Sequence, residues 1–247
     1  PGWLHTTATF LVAFGTSMSA FWIIVLNSWM HTPQGYEMRD GVAFATDWLA
    51  IIFNPSMPYR FTHMMLASGL TVAFLIAGLS AFRWPLGDRS GGARVAMKTG
   101  VYLGALLIPV QIFMGVMHGL NTLGHQAQKV AAMEGNWETQ SHAPLLLFAA
   151  PDEEARENRF EVGIPNMASI ILKHKAEGVV PGLNDFVTDD GEVMHPPVAP
   201  VFWSFRIMVG TGFAMLFLSW GAAFLMLRKG RGPEGLPKLL TLAMVPM

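Results

Sequence analysis

The sequence lacks cysteine and is poor in charge. The absence of cysteine excludes disulfides, thiolate metal sites, iron–sulfur clusters and cysteine nucleophiles. Only 13% of the 247 residues are charged, whereas 52% are hydrophobic; soluble domains carry about 25% charged residues. The formal net charge of −1 offers no basic surface for nucleic acid. The composition therefore predicts a protein of the lipid bilayer, in which eight His and 17 Met remain as candidate metal ligands.

Four apolar stretches are long enough to span a bilayer, which requires about 20 residues. They cover roughly 7–30, 61–82, 95–117 and 199–227, and a fifth begins near Leu239. Because lipid offers no hydrogen-bond partner to the backbone, each is predicted to be a helix. The expected fold class is all-α: a polytopic transmembrane helix bundle with four full spans and the start of a fifth. The chain starts at Pro1 and has no signal peptide, so we expect an internal fragment of a larger membrane protein.

The loops predict the orientation. The short connections at 83–98 and 228–238 are basic, which places them in the cytoplasm. The long connection 118–198 holds twelve acidic residues and five Lys or Arg, and is expected outside. We therefore divide the chain into residues 1–117, with three transmembrane helices and short loops; residues 118–198, a long extracytoplasmic loop; and residues 199–247, with the fourth helix and the start of the next.

The long loop is not uniform. "HQAQKVAAMEGNWE" places Val130, Met133 and Trp137 at the spacing of one helix face and predicts an amphipathic helix. "PDEEAREN" is strongly charged and is either a solvated linker or a functional part of the loop. Loops of this length are often functional.

Two ionisable residues lie within the predicted spans, where such residues are functional candidates. His63 and Arg206 both fall near the outer end of a span, and Met208 follows Arg206 closely. A b-type haem between helices would use His and Met as axial ligands and Arg against its propionates. Arg206 and Met208 are about 200° apart around a helix, so they point in different directions. The spacing alone leaves simpler roles open. His63 could make an interfacial hydrogen bond, Met208 could pack in the core, and Arg206 could be an interface anchor.

Ser19 and Asn27 are the polar residues of interest in the first span. They are eight residues apart and lie on roughly the same helix face. They could hydrogen-bond a neighbouring helix, the usual role of such residues, or line a proton path.

Four stretches resemble one family in its own order: "GTSMSAFWIIVLNSWMHTP", "FNPSMPYRFTHMMLASG", "KVAAMEGNWETQ" and "FWSFRIMVGTGF". They are similar to the large catalytic subunit, subunit I, of cytochrome bd-type quinol oxidases. "GLNTLGHQ" and the length of the loop are most similar to the cyanide-insensitive oxidase branch. The resemblance covers nearly the whole chain.

The resemblance implies roles for individual residues. His63 and Met208 match the axial ligands of the low-spin haem b iron, and Arg206 matches an arginine near that haem that offsets the propionate charge. Lys129 and Glu134 match residues of the quinol-binding loop. A carboxylate such as Glu134 can accept a quinol proton as a general base.

Ser19 and Asn27 match positions in the helix that the family associates with proton delivery. One departure is Val116, which stands where the family often has Asp; His118 is a candidate substitute.

The resemblance also implies cofactors and partners. The intact subunit would bind the low-spin haem b, a high-spin haem b and haem d, or a further haem b. The ligands of the high-spin haems would lie outside this chain, so the chain alone should not reduce oxygen. The partners would be ubiquinol or menaquinol, O2, subunit II, an accessory small subunit and the lipid bilayer, with no nucleic acid. The location would be the bacterial cytoplasmic (inner) membrane.

The function implied is that of a terminal quinol:oxygen oxidoreductase. Quinol is oxidised at the outer loop, electrons pass through the low-spin haem b to the oxygen-reducing haems, and O2 becomes water while a proton motive force is generated. Two alternatives remain from the residues: a membrane transporter or channel lined by His63 and Arg206, and a haem b electron carrier without oxidase activity. Quinol-dependent reduction of the haem separates them.

Overall fold

The computed structural model describes residues 1–88, 90–228 and 244. Seven α-helices and two β-hairpins are found in these residues. The helices are α1 Gly2–His31, α2 Trp48–Ile52, α3 Met57–Arg83, α4 Gly91–His125, α5 Ala127–Glu134, α6 Met167–Lys173 and α7 Val198–Leu227. The strands are β1 Tyr36–Arg39, β2 Val42–Ala45, β3 Leu145–Asp152 and β4 Glu157–Ile164.

The four expected spans are confirmed as long apolar helices. α1, α3, α4 and α7 have 27 to 35 residues and a mean hydropathy of 1.7 to 2.0, sufficient to cross a membrane. α4 begins after Ser90, whose hydroxyl accepts the Ala93 N–H at 3.2 Å, and it continues to His125. The helix therefore extends beyond the apolar stretch that ends at 117. The fifth span expected near Leu239 lies outside the described residues.

The mostly helical fold is confirmed, but an all-α description omits the two hairpins. β1 and β2 are joined at Asp40 and Gly41, both with positive φ, as a two-residue hairpin turn requires. "PDEEAREN" is the tip of the hairpin β3–β4 rather than a linker. The Asp152 carboxylate accepts the backbone N–H groups of Glu154 and Ala155 across that turn.

The helix expected in the long loop is shorter than predicted. α5 ends at Glu134 because Gly135 adopts the left-handed conformation, with φ of 68°. Trp137 therefore does not share a helix face with Val130, and that part of the prediction was wrong. Trp137 is nevertheless buried, in a cluster with Ala131 and Val198.

The described chain divides into two compact units, Pro1–Met64 and Met65–Met247. The first unit is organised around Asn54, whose side chain is fully buried. Its Nδ2 donates to Ser28 Oγ and to the Ile51 carbonyl, each at 3.0 Å, and its Oδ1 accepts from Thr32 Oγ1 at 3.0 Å. This network joins the end of α1 to the turn before α3.

The second unit has its main apolar core between three membrane helices. α3 contributes Leu70 and Phe74, α4 contributes Val101 and Ile108, and α7 contributes Ala222. α3 and α4 are in close contact at Gly100, where an added Cβ would lie 2.6 Å from the Ala73 oxygen and the Ala77 nitrogen. Glycine is therefore required sterically at this crossing.

Gly100→Ala is expected to destabilise the protein by about 1–3 kcal/mol, because its methyl group overpacks the α3–α4 contact. The matched control is Gly119→Ala in the same helix, where no atom lies within 4 Å of an added Cβ. Thermal unfolding in detergent should show a lower Tm for Gly100→Ala and no loss for Gly119→Ala. Equal Tm values in the two variants would contradict the close packing.

Candidate functional site

A buried ion pair joins the long loop to the last membrane helix. Arg206 Nη2, in α7, lies 2.8 Å from Glu134 Oε2, at the end of α5, and both side chains are only 9% exposed. The turn at Gly135 stops α5 at Glu134 and fixes the position of its carboxylate. Both residues are candidates from the sequence, but their pairing is evident only in the structure.

Arg206 is enclosed further by aromatic rings and retains one unused donor. Its guanidinium carbon lies 4.7 Å from the ring centroid of Phe202 and 5.3 Å from that of Phe205, both within cation–π range. Its Nε is buried and has no hydrogen-bond partner among the described residues. The guanidinium can therefore donate a further hydrogen bond, from Nε, to an anionic or carbonyl oxygen without leaving Glu134.

The Met208 side chain projects from a different side of α7 than the Arg206 side chain. It is 52% exposed, whereas the Arg206 side chain is buried. This agrees with the angular separation expected from their spacing. The thioether sulfur is thus presented to the exterior of this chain, while the charge of Arg206 is neutralised inside it.

Glu134 opens onto a cleft of about 480 Å³ in the second unit. The cleft lining is polar and apolar in about equal parts, and its polar side chains include Asn136, Gln140, Asn158 and Glu161. Lys129 is half-buried on the same helix as Glu134 but is not among the lining residues. The structure thus brings Glu134, but not Lys129, to this cleft.

Asn158, a residue not predicted from the sequence, holds the hairpin β3–β4 against the end of α5. Its Nδ2 donates to the Gly135 carbonyl and to Glu161 Oε1, each at 2.8 Å. Its Oδ1 accepts from Trp137 Nε1 at 2.9 Å. One amide therefore uses both of its polar ends to fix the backbone that follows Glu134. The role of Asn158 depends on tertiary contacts, which no local sequence motif reveals.

The hairpin tip is also tied to α7. Glu153 Oε1 accepts the backbone N–H groups of Val198 and Ala199 at the start of α7, at 3.0 and 3.3 Å. The N–H of Ala155, together with Arg159 at 2.6 Å, holds the pKa of Asp152 below its ordinary value. Glu153 thus caps the first N–H groups of α7, and Asp152 stabilises the hairpin turn.

The remaining predicted residues lie in the first unit or in α4. His63 is half-buried in α3, and Ser19 is exposed in α1. Asn27 is half-buried, and its Oδ1 accepts from Arg60 Nη1 at 2.9 Å, a contact that the sequence analysis missed. Val116 and His118 both lie in α4, on the continuous helix that leads towards α5.

Comparisons with known proteins identify the family. The model of the cytochrome bd terminal oxidase subunit I family matches residues 1–247. The chain belongs to this family.

Relatives in the cytochrome bd subunit I family agree over most of the chain. Cytochrome bd ubiquinol oxidase subunit 1 of Bacillus subtilis (strain 168) is 32% identical, covering 93% of this chain and 50% of the relative. Cytochrome bd-II ubiquinol oxidase subunit 1 of Escherichia coli (strain K12) is 27% identical, covering 87% and 54%. The bd oxidase structure from Geobacillus thermodenitrificans superposes with a TM-score of 0.83 at 31% identity, covering 95% of this chain and 53% of that chain. The chain thus spans about half the length of these proteins.

Cytochromes are haem proteins, and the residues of this cytochrome bd chain fit such a group. The exposed thioether of Met208 and the imidazole of His63 are of the types that ligate haem iron. The unused, buried Nε of Arg206 is a donor suited to a carboxylate. The fit rests on donor chemistry, which the described side chains supply.

Removal of either partner of the Arg206–Glu134 pair is expected to lower the free energy of unfolding by about 3–5 kcal/mol, because a buried charge is left alone. Glu134→Gln, Arg206→Gln and the double variant form a cycle in which the double variant should lose less than the sum of the two singles.

The control is the pair Arg39–Glu37, which has the same 2.8 Å separation but is 60% and 57% exposed. Its coupling should not exceed about 1 kcal/mol. Thermal or denaturant unfolding in detergent measures both cycles. Equal coupling in the buried and the exposed pair would contradict the proposed role of burial.

Proposed function

We propose that this chain forms part of the large subunit of a quinol:oxygen oxidoreductase of the bacterial cytoplasmic membrane. Quinol would be oxidised at the outer loop, and its electrons would reach oxygen-reducing haems held elsewhere in the intact protein. The observation that carries the proposal is Glu134, a buried carboxylate that is ion-paired to Arg206 and opens onto the cleft. Family membership supports the same reaction.

Glu134 would act as the general base. Oxidation of a quinol releases two protons and two electrons, and a carboxylate at the wall of the cleft can accept a proton from a quinol hydroxyl. Arg206 holds that carboxylate at 2.8 Å and so keeps it in one orientation. Such preorganisation is worth more at a buried position than in water.

Lys129 would take the second role at this site. It lies on α5 with Glu134, five residues earlier in the chain, and is half-buried. Its ammonium group would donate a hydrogen bond to a quinone oxygen. Because it does not line the cleft, we propose that it acts at the far side of α5 or at the entrance.

His63 and Met208 would hold the low-spin haem b as axial ligands. When bound, this haem supplies a one-electron acceptor close to the outer surface. The imidazole of His63 and the thioether of Met208 would supply the ligand atoms. Further haems, a high-spin haem b with haem d or another haem b, would be held by the rest of the intact protein.

The remaining assignments follow from the acidic loop and the family. The loop 118–198 would face outside, so that protons leave on that side, and Ser19 and Asn27 would contribute to proton delivery. Reduction of O2 to water would then generate a proton motive force. Subunit II and an accessory small subunit are the proposed partners, with ubiquinol or menaquinol as the electron donor. A transporter or a haem b carrier without oxidase activity is less well supported, because the family model that matches residues 1–247 is that of a terminal oxidase subunit.

Glu134→Gln is expected to slow the reduction of haem by quinol at least about 100-fold, the usual effect of removing a general base. The measurement is stopped-flow absorbance of membranes that contain the protein, mixed with a short-chain quinol under anaerobic conditions. Dithionite reduction of the same sample reports whether the haem is still bound.

Glu154→Gln is the matched control, because this exposed glutamate at the hairpin tip does not line the cleft. In this variant, quinol should reduce the haem at the wild-type rate. If Glu134→Gln also reduced at that rate with its haem content intact, Glu134 could not be the base.

A further inference from the structure

Arg60 carries a positive charge at an unusual place. It lies in the first turn of the membrane helix α3 and is half-buried. The first turn of a helix is the end at which the helix dipole disfavours a cation. Charged residues in membrane helices are costly unless they are paired. Helix stability therefore does not account for an arginine at this position.

The partner of Arg60 does not neutralise it. Its Nη1 donates to Asn27 Oδ1 at 2.9 Å, and that amide is uncharged. Its Nε is buried without a hydrogen-bond partner among the described residues. Within those residues no carboxylate lies at ion-pair distance from Arg60, whereas four other arginines each have one: Arg39, Arg83, Arg159 and Arg206.

The guanidinium is also held in place. Asn27 precedes Ser28, whose hydroxyl accepts a hydrogen bond from the fully buried Asn54. The same Asn54 fixes the turn from which α3 starts, since its Oδ1 accepts the Ser56 N–H at 3.3 Å. Asn27 and the start of α3 therefore belong to one buried network. An arginine that served only as a loose interface anchor would not need such a support.

Arg60 precedes His63 by three residues, which places both side chains on neighbouring positions of one helix face. We propose that Arg60, supported by Asn27, binds a carboxylate of the haem that His63 ligates. The proposal rests on the proposed function, because it requires that haem. Arg206 matches the family's arginine near the haem, but Glu134 already neutralises it. Arg60 has no carboxylate among the described residues at ion-pair distance, so its charge remains available next to His63.

The consequence is a change in redox equilibrium. Reduction adds one electron to the haem, and a nearby positive charge stabilises the reduced form. Because the guanidinium is partly shielded from water, its effect is not lost to solvent screening. Loss of the charge should therefore make the haem harder to reduce.

The test is a potentiometric titration of the low-spin haem b band in membranes that contain the protein. At a fixed ambient potential, Arg60→Gln should lower the ratio of reduced to oxidised haem about tenfold, equivalent to about 59 mV for one electron. Arg60→Lys, which keeps the charge, should stay close to wild type. Asn27→Leu should shift the ratio in the same direction as Arg60→Gln but by less.

Arg39→Gln is the control, because this arginine is exposed and already paired with Glu37. It should leave the titration unchanged. A wild-type titration in Arg60→Gln would overturn the proposal and would assign Arg60 to a lipid phosphate instead. If Arg60→Gln failed to retain haem, retention with a wild-type potential in Arg60→Lys would support it, and loss in both with no shift in Asn27→Leu would overturn it. Absence of any haem b band in wild-type membranes would instead remove the proposed function itself.

Discussion

The ion pair between Glu134 and Arg206 is the contact on which the second unit depends. It joins the end of α5 to α7 with both side chains almost completely buried. A buried pair of this kind adds little net stability but is costly to break, so it fixes one arrangement of the two helices. Gly135 and Asn158 set the backbone on one side of it, and Phe202 and Phe205 enclose it on the other.

The arginines show how charge is distributed between structure and function. Arg206 is the residue whose motif predicts a place near a haem, yet a carboxylate of the chain itself neutralises it. Arg60 has a similar side chain but only the neutral Asn27 as its partner. We therefore propose that the first orders a base at the cleft and that the second is available to an anion from outside the chain. The two arginines thus have different proposed roles.

The membrane helices could be predicted because lipid imposes a minimum apolar length, which α1, α3, α4 and α7 all satisfy. The hairpin β1–β2 was also within reach, since Asp40-Gly41 is a strong turn signal that the search for apolar runs passed over. The site could be predicted only as separate residues. Glu134 and Arg206 are 72 positions apart, and Asn158 acts through a tertiary contact with Trp137. No local periodicity in the sequence reveals such long-range contacts.

The measurement that tests the central claim most directly is a reduced-minus-oxidised visible spectrum of membranes that contain the protein. His63→Ala and Met208→Leu would be compared with wild type and with Met215→Leu, a methionine of the same helix that packs against the apolar core. The account predicts a sharp low-spin haem b band that is lost or shifted in His63→Ala and Met208→Leu and unchanged in Met215→Leu. An unchanged band in both His63→Ala and Met208→Leu would contradict the ligand pair and the account built on it.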